Sequence, residues 1–450
     1  MLCVRMHTQK VAMAHCPLSL VYLNIIYPAA QWSKIEADLD PFLRVFFLAA
    51  AEQYPHNQQY NFTMGSTAQS GRRIRILHDQ QTRLHHSVEL VTHQLIPAHE
   101  SPDRITLILD ALRDANLADR VDEVSLSEDE SKWPNIPESV HSAAYVTHLR
   151  TIYKQFEDAG IVDVHDESAC ILPECFPHTR ILHTQEGLMR EGSIAIPQDV
   201  SARMGYYAFD MSSGMSKDTF RSAIAAVNVA IKGADMLLTS VAPDHSLIFC
   251  VVRPPGHHAC HSLAGGYCYI NTAAVVTEYI LSRLPSPPDD PEPRPQVAIL
   301  DLDVHHGNGT QAIFYNRRSP AYISIHGAGQ YPYYTGSSAE RGSGEGSGFN
   351  RNFPLPLRPH STREDYFTKL DEALKVIEHE WKAGLVVLSL GFDTYRLDVL
   401  GGFELDVEDY AEMGRRIARL GIPVLALLEG GYSGALGTLA VEFLRGYETG

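Results

Sequence analysis

Asp301, Asp303 and His305 stand at alternate positions in VAILDLDVHH, and Asp393 closes a second apolar run, LVVLSLGFD. Alternation places the first three on one face of a predicted strand. Carboxylates at the end of a buried apolar segment are costly unless a cation or hydrogen bonds offset them. No Lys or Arg stands between Gln296 and Tyr315 to do so. Asp303, His305 and Asp393 together would supply two carboxylates and one imidazole, a ligand set that leaves a catalytic zinc site one open position for water. For Asp393 alone, a helix N-cap is an equally good reading.

Two further segments offer proton transfer and charge stabilisation. His257 and His258 are adjacent after Arg253-Pro-Pro-Gly, a rigid turn that can hold a proton-transfer pair. Glu429-Gly430-Gly431-Tyr432 ends another apolar run. Its glycines permit unusual dihedrals, so Tyr432 reads either as a side chain packed at a tight turn, the better reading of this motif alone, or as one that reaches over the site and donates to a developing oxyanion. Gly265-Gly266-Tyr267 reads either as a channel wall or as a turn with a packed Tyr.

Something must carry these residues to one place. SLIFCVV (246–252), VAILDLDV (297–304), AYISIH (321–326), LVVLSLG (385–391) and PVLALLEG (423–430) are short, almost unbroken apolar runs, and RIRILHD precedes them as a first strand. Helical patterns separate them over Pro102–Ala118, over Lys217–Leu238 and from Ser361 to about Lys382. Ser361 and Glu364 predict a capping box for the last of these, and Gly384 its C-terminal cap. The alternation predicts an α/β fold: one three-layer domain with a central, mostly parallel sheet flanked by helices. Each run leads into polar, Gly-rich sequence, and open parallel sheets bind ligands beyond the carboxyl ends of their strands. Five segments far apart in sequence thus deliver polar residues to one sheet edge.

Composition narrows the partners. The 450 residues are 44% hydrophobic and 20% charged, with a net charge of -17. Such acidity argues against direct nucleic-acid binding and suits a cationic partner, although on charge alone an aid to solubility is the better reading. The seven cysteines are odd in number and form no C-x-x-C pair, which fits a reducing compartment, the cytoplasm or else the nucleus. No apolar run reaches the roughly 18 residues that span a bilayer, so no membrane association is expected. Residues 1–71 read as an N-terminal extension, poorly ordered or a gene-model artefact with Met64 as the start, and 72–450 as the catalytic domain. Residues 285–295 and 337–348 read as a Pro-rich connector and a Gly/Ser-rich rim loop.

Taken together, RPPGHHA, GGYCYINTAAV, AILDLDVHHGNGTQAIFY, SLGFDTYRLD and LLEGGY resemble the arginase/deacetylase superfamily. Within it, the chain is similar to the acetylpolyamine amidohydrolases and the class II-type histone deacetylases, from about Arg72 to Thr449. The stretch 187–207 and the C-terminal tail look most like the amidohydrolase branch. The resemblance implies an arginase/deacetylase-like fold and zinc-dependent hydrolysis of acetyl amides, releasing acetate and a free amine. It implies zinc ligation by Asp303, His305 and Asp393. His258 becomes the general base and then acid, with His257 as its electrostatic partner, Asp301 behind, and Asn308 orienting the second histidine. Tyr432 matches the oxyanion-polarising tyrosine. Gly266 and Tyr267 match one wall of a substrate channel, and Tyr334 the opposite wall. A structural K+ is implied at Asp301, Asp303 and backbone oxygens near His305, Ser324 and Ile325.

Arginases bind two manganese ions. FDTYRLD lacks a second Asp two residues after Asp393, which favours one ion, and Val399 replaces a Pro common in relatives. The expected substrates are acetylpolyamines or similar small cationic amides. Deacetylation of lysines in acetylated proteins, histones included, is the alternative, and a non-catalytic binding module a third reading. The amidohydrolase-like insertion suggests an entrance narrowed by a second subunit, hence a homodimer.

Overall fold

Ten strands form in the described part of the chain: β1 (Ile74–His78), β2 (Val88–Val91), β3 (Gln94–Pro97), β4 (Val121–Glu123), β5 (Leu247–Val251), β6 (Val297–Asp301), β7 (Ala321–Gly327), β8 (Asn350–Leu355), β9 (Leu385–Leu390) and β10 (Val424–Leu428). Eight of them pair in parallel in the order β4-β1-β5-β10-β9-β6-β7-β8, and β2 and β3 make a separate antiparallel hairpin. The computed structural model describes residues 74–177, 195–239, 247–284 and 295–450, all within a unit running from Ser70 to Gly450. The expected N-terminal extension, residues 178–194 and nearly all of the Pro-rich connector lie outside the described residues.

The strand residues are buried on both faces because helices cover both. The helices are α1 (Asp103–Asp114), α2 (Ala143–Asp158), α3 (Val200–Tyr206), α4 (Thr219–Thr239), α5 (Thr272–Leu281), α6 (Asn308–Phe314), α7 (Arg363–Lys375), α8 (Val407–Ala418) and α9 (Leu436–Thr449). Leu247, Phe249 and Val251 of β5 join the core under α1, α7, α8 and α9. Ile248 and Cys250, one residue out of phase, join the core under α2, α3, α4 and α5. Each fully enclosed Leu, Ile or Val contributes about 1.5–3 kcal/mol. Helix α4 is long and apolar enough to cross a membrane, with mean hydropathy 1.3, but 61% of that stretch is buried inside the fold. Its Ala, Ile and Val content therefore suits a core helix.

Three local expectations change. Strand β6 ends at Asp301, so Asp303 and His305 lie in the loop beyond it rather than on its face. Leu302 N–H still reaches Ser389 O, but Asp303 N–H turns to Asp301 Oδ1 and His305 N–H to Asp303 Oδ1, which draws the backbone out of the ladder. The capping box of α7 is Thr362 with Asp365, one residue later than read, because the Ser361 hydroxyl turns back to Pro356 O. The helix then widens into a π-turn over Val376–Trp381, and Lys382, with φ +52°, takes the left-handed position expected of Gly384.

Candidate functional site

β5, β10, β9 and β6 are neighbours, and the loops at their carboxyl ends carry His257–His258, Glu429–Tyr432, Asp393 and Asp303–His305. The polar segments thus converge through sheet order, although they are up to 175 positions apart in sequence. One ligand atom each from Asp303, His305 and Asp393 lies within 4.8 Å of the others. His305 Nδ1 is 3.0 Å from Asp303 Oδ1 and 3.2 Å from Asp393 Oδ2. Backbone donors from neighbouring loops fix the carboxylates: Gly430 N–H donates to Asp303 Oδ2 at 2.7 Å, and Val304 N–H to Asp393 Oδ1 at 2.9 Å.

These residues fit a metal ion. Asp393 Oδ2 is buried and receives no hydrogen bond. Burial and the Asp303 charge push the Asp393 carboxyl up to about 7. Burial opposes protonation of His305, but the hydrogen bond to Asp303 and the charges of Asp393 and Asp303 outweigh it and hold the ring well above its usual pKa. Two buried carboxylates and an imidazole are thus crowded where a divalent cation would satisfy all three groups. The mixed N/O donor set is one that zinc accepts.

The two histidines differ in environment. His257 Nδ1 lies 3.1 Å from Asp301 Oδ2, and Tyr322 donates its hydroxyl to the same oxygen at 3.0 Å. Burial disfavours the charged ring, but Asp301 and Asp303 override it and raise His257 to about 10. His258, its ring centroid 3.9 Å away, goes the other way: burial and the charges of His257 and His305 keep it neutral. His258 Nδ1 lies 2.7 Å from Asn308 Oδ1, which leaves Nε2 free. Glu429 holds the turn that carries both rings, accepting from Gly256 N–H at 2.7 Å, His257 N–H at 3.2 Å and the Ser389 hydroxyl at 2.9 Å.

Tyr432 sits opposite, its N–H held by Asp398 Oδ2 at 2.6 Å. The Arg104 guanidinium lies 4.9 Å from its ring centroid and donates to Gly431 O at 2.7 Å and to Glu429 O. Arg104 is tied to Glu100, which also takes a two-pronged contact from the fully buried Arg253, at 2.8 and 2.7 Å. The turn before the histidines is thereby linked to the turn before Tyr432.

A cavity of about 230 Å³ is lined by His257, His258, His305 and Tyr432, with Gly266, Tyr267, Tyr331 and Tyr333 among its wall residues. Gly266 and Tyr267, read as one wall of a channel, line this cavity. Tyr334 does not form the other: it is 93% exposed and outside the lining. Tyr331 anchors the loop by donating its hydroxyl to Asp210, so Tyr331 faces inward, Tyr333 lines the rim while mostly exposed, and Tyr334 points away. Asp301 and Ser324 are register partners and fully buried at the position where K+ was expected. The sequence reading missed Glu100, Arg104, Asp210, Tyr331 and Asp398, and only Arg253, inside RPPGHH, carried a local signal.

The histone deacetylase domain matches residues 98–444. The chain belongs to the histone deacetylase domain family. Within that family, acetylpolyamine amidohydrolase 2 of Pseudomonas aeruginosa is 34% identical over 83% of this chain and 98% of its own length. Acetylpolyamine amidohydrolase 1 of the same organism is 36% identical over 80% of this chain and 94% of its own length. The crystal structure of an acetylpolyamine aminohydrolase from Burkholderia pseudomallei superposes with a TM-score of 0.67 at 27% identity, covering 83% of this chain and 98% of that one. The parallel sheet between two helical layers is thus the fold of known family members.

Proposed function

We propose that this protein is a zinc-dependent deacetylase of acetylpolyamines or similar small cationic amides. One observation carries the reading: His305 of the Asp303–His305–Asp393 group lines one cavity together with His258 and Tyr432. Zinc held by that group would polarise the acetyl carbonyl and make a water more acidic. His258 is neutral, with Nδ1 engaged by Asn308, so Nε2 takes the proton of the attacking water. His257, charged beside Asp301, stabilises the negative charge that builds up nearby. The Tyr432 hydroxyl donates to the acetyl oxygen as it becomes an oxyanion. His258 then passes its proton to the departing nitrogen, leaving acetate and a free amine. A structural K+ at Asp301, Asp303, His305, Ser324 and Ile325 would further offset the buried carboxylates.

Three observations support a small cationic amide. Tyr267, Tyr331 and Tyr333 line a narrow cavity and offer aromatic faces to an ammonium group. The chain carries a net charge of -17. Relatives matched over almost their whole length are acetylpolyamine amidohydrolases. Turnover of acetylspermidine and of an acetyl-lysine peptide on metal-quantified enzyme tests the reading. We expect acetylspermidine to show the higher kcat/KM. A preference for the peptide would refute the substrate assignment, and no amide turnover at full zinc occupancy would refute the enzyme.

A further inference from the structure

We propose that Cys260 is a positioning residue that fixes which nitrogen of His258 carries the proton. A ring of three hydrogen bonds closes through it. His258 Nδ1 faces Asn308 Oδ1 at 2.7 Å, Asn308 Nδ2 donates to Cys260 Sγ at 3.6 Å, and the Cys260 thiol donates to His258 O at 3.6 Å. Direction matters here. An Asn side chain has an accepting end and a donating end of nearly equal shape. With Oδ1 toward the ring, Nδ1 holds the proton and Nε2 is a free base. With Nδ2 toward the ring, Nδ1 must accept, the proton moves to Nε2, and the imidazole can no longer deprotonate a water.

Asn308 therefore needs a partner on its far side that accepts rather than donates. Cys260 supplies the sulfur, and His258 O takes up the thiol hydrogen, so the sulfur lone pairs remain for Asn308. Burial pushes the Cys260 thiol up to about 11, so it stays protonated and able to complete the ring. The loop geometry is fixed independently of the thiol, because Cys260 N–H donates to Leu263 O at 2.9 Å. Removing the sulfur thus removes a directional contact while leaving the backbone tied.

The proposal rests on the reading in which His258 moves the proton, and its test separates the two. Cys260→Ala should lower kcat on the order of 10-fold, the scale for losing an outer partner of a site imidazole, with KM and zinc content unchanged. Cys260→Ser, which keeps a group that accepts and donates, should recover most of that loss. In the Asn308→Asp background, where both side-chain oxygens accept, Cys260→Ala should cost nothing further. The 15N spectrum of His258, identified by its absence in His258→Ala, should show Nδ1–H in the wild type and a mixture of tautomers in Cys260→Ala, whatever the substrate. An unchanged tautomer, an equal kcat loss in the Asn308→Asp background, or Ser no better than Ala would each overturn the role of Cys260. A wild-type Nδ1–H tautomer in a chain that hydrolyses no amide would instead sink the functional reading and leave the Cys260 contact standing.

Discussion

Replacing Gly266 by Ala tests the placement of His258, the proposed general base, directly. A Cβ at this position would lie 2.3 Å from His258 Cδ2 and 2.9 Å from the Tyr331 hydroxyl, where ordinary contact begins at 3.4 Å. The His258 ring must yield by about 1.1 Å. It has little room, since Nδ1 is tied to Asn308 and its other side packs on His257 at 3.9 Å. A displacement of about 1 Å at a reacting group costs about 10²-fold in rate. Gly266 also has φ +56°, and a side chain in that conformation costs roughly 1–2 kcal/mol of stability. Gly160→Ala separates the two effects, because Gly160 has φ +68° with nothing within 4 Å of its Cβ position. Steady-state turnover of acetylspermidine, zinc content and urea unfolding should be measured on both variants. Gly160→Ala should lose only the backbone share of stability, Gly266→Ala at least as much, and only Gly266→Ala should lose turnover, with zinc retained. If Gly266→Ala turns over within about threefold of the wild type, the clash reasoning fails.

Other outcomes follow from the same geometry. Tyr432→Phe should lower kcat by about 10²–10³-fold while leaving zinc content and melting temperature unchanged, as steady-state kinetics and metal analysis will show. Asp393→Asn should abolish zinc retention on dialysis against a chelator, because it replaces the buried oxygen that receives no hydrogen bond. Tyr333→Ala should raise KM for a cationic substrate about 2–5-fold, whereas Tyr334→Ala, at a side chain outside the cavity lining, should leave it unchanged. Glu100 bears on acid stability. Burial would raise its pKa, but Arg253 and Arg104 outweigh that and bring it from 4.5 to about 2. Its folded-state pKa is depressed, so its contribution is present above about 4.5 and lost as pH falls toward 2. That amounts to about 3 kcal/mol, and unfolding free energies across this range should show a slope that Glu100→Gln removes.

Much of the site was legible because its residues sit at the ends of apolar runs. SLIFCVV, VAILDLDV, AYISIH, LVVLSLG and PVLALLEG all became central strands, since a strand buried on both faces leaves an unbroken apolar signature. Edges were harder. β8 reads NRNFPL, and its Pro354 is tolerated only because the strand pairs on one side. The exit of β6 could not be read from alternation, because carboxylates that bond their own backbone override the strand pattern at Asp303. Tyr334 was chosen from three nearby tyrosines, and nothing local distinguishes them. The choice is made by Asp210, 121 positions before Tyr331. Arg104 was invisible for the same reason: its acceptor Gly431 lies 327 positions away.

The ties from Gly430 N–H to Asp303 and from Val304 N–H to Asp393 join peptide groups of three adjacent strand exits. The placement of Asp303 and Asp393 is therefore inherited from the sheet, while Gly266 and Tyr331 of the cavity wall pack only on the rings of His258 and His305. Such a division makes the scaffold modular. Exchanging Tyr333, which lines the cavity but is itself mostly exposed, reshapes the entrance while the carboxylates below keep their backbone ties. A lineage could change what enters by rewriting the exposed part of the doorway alone.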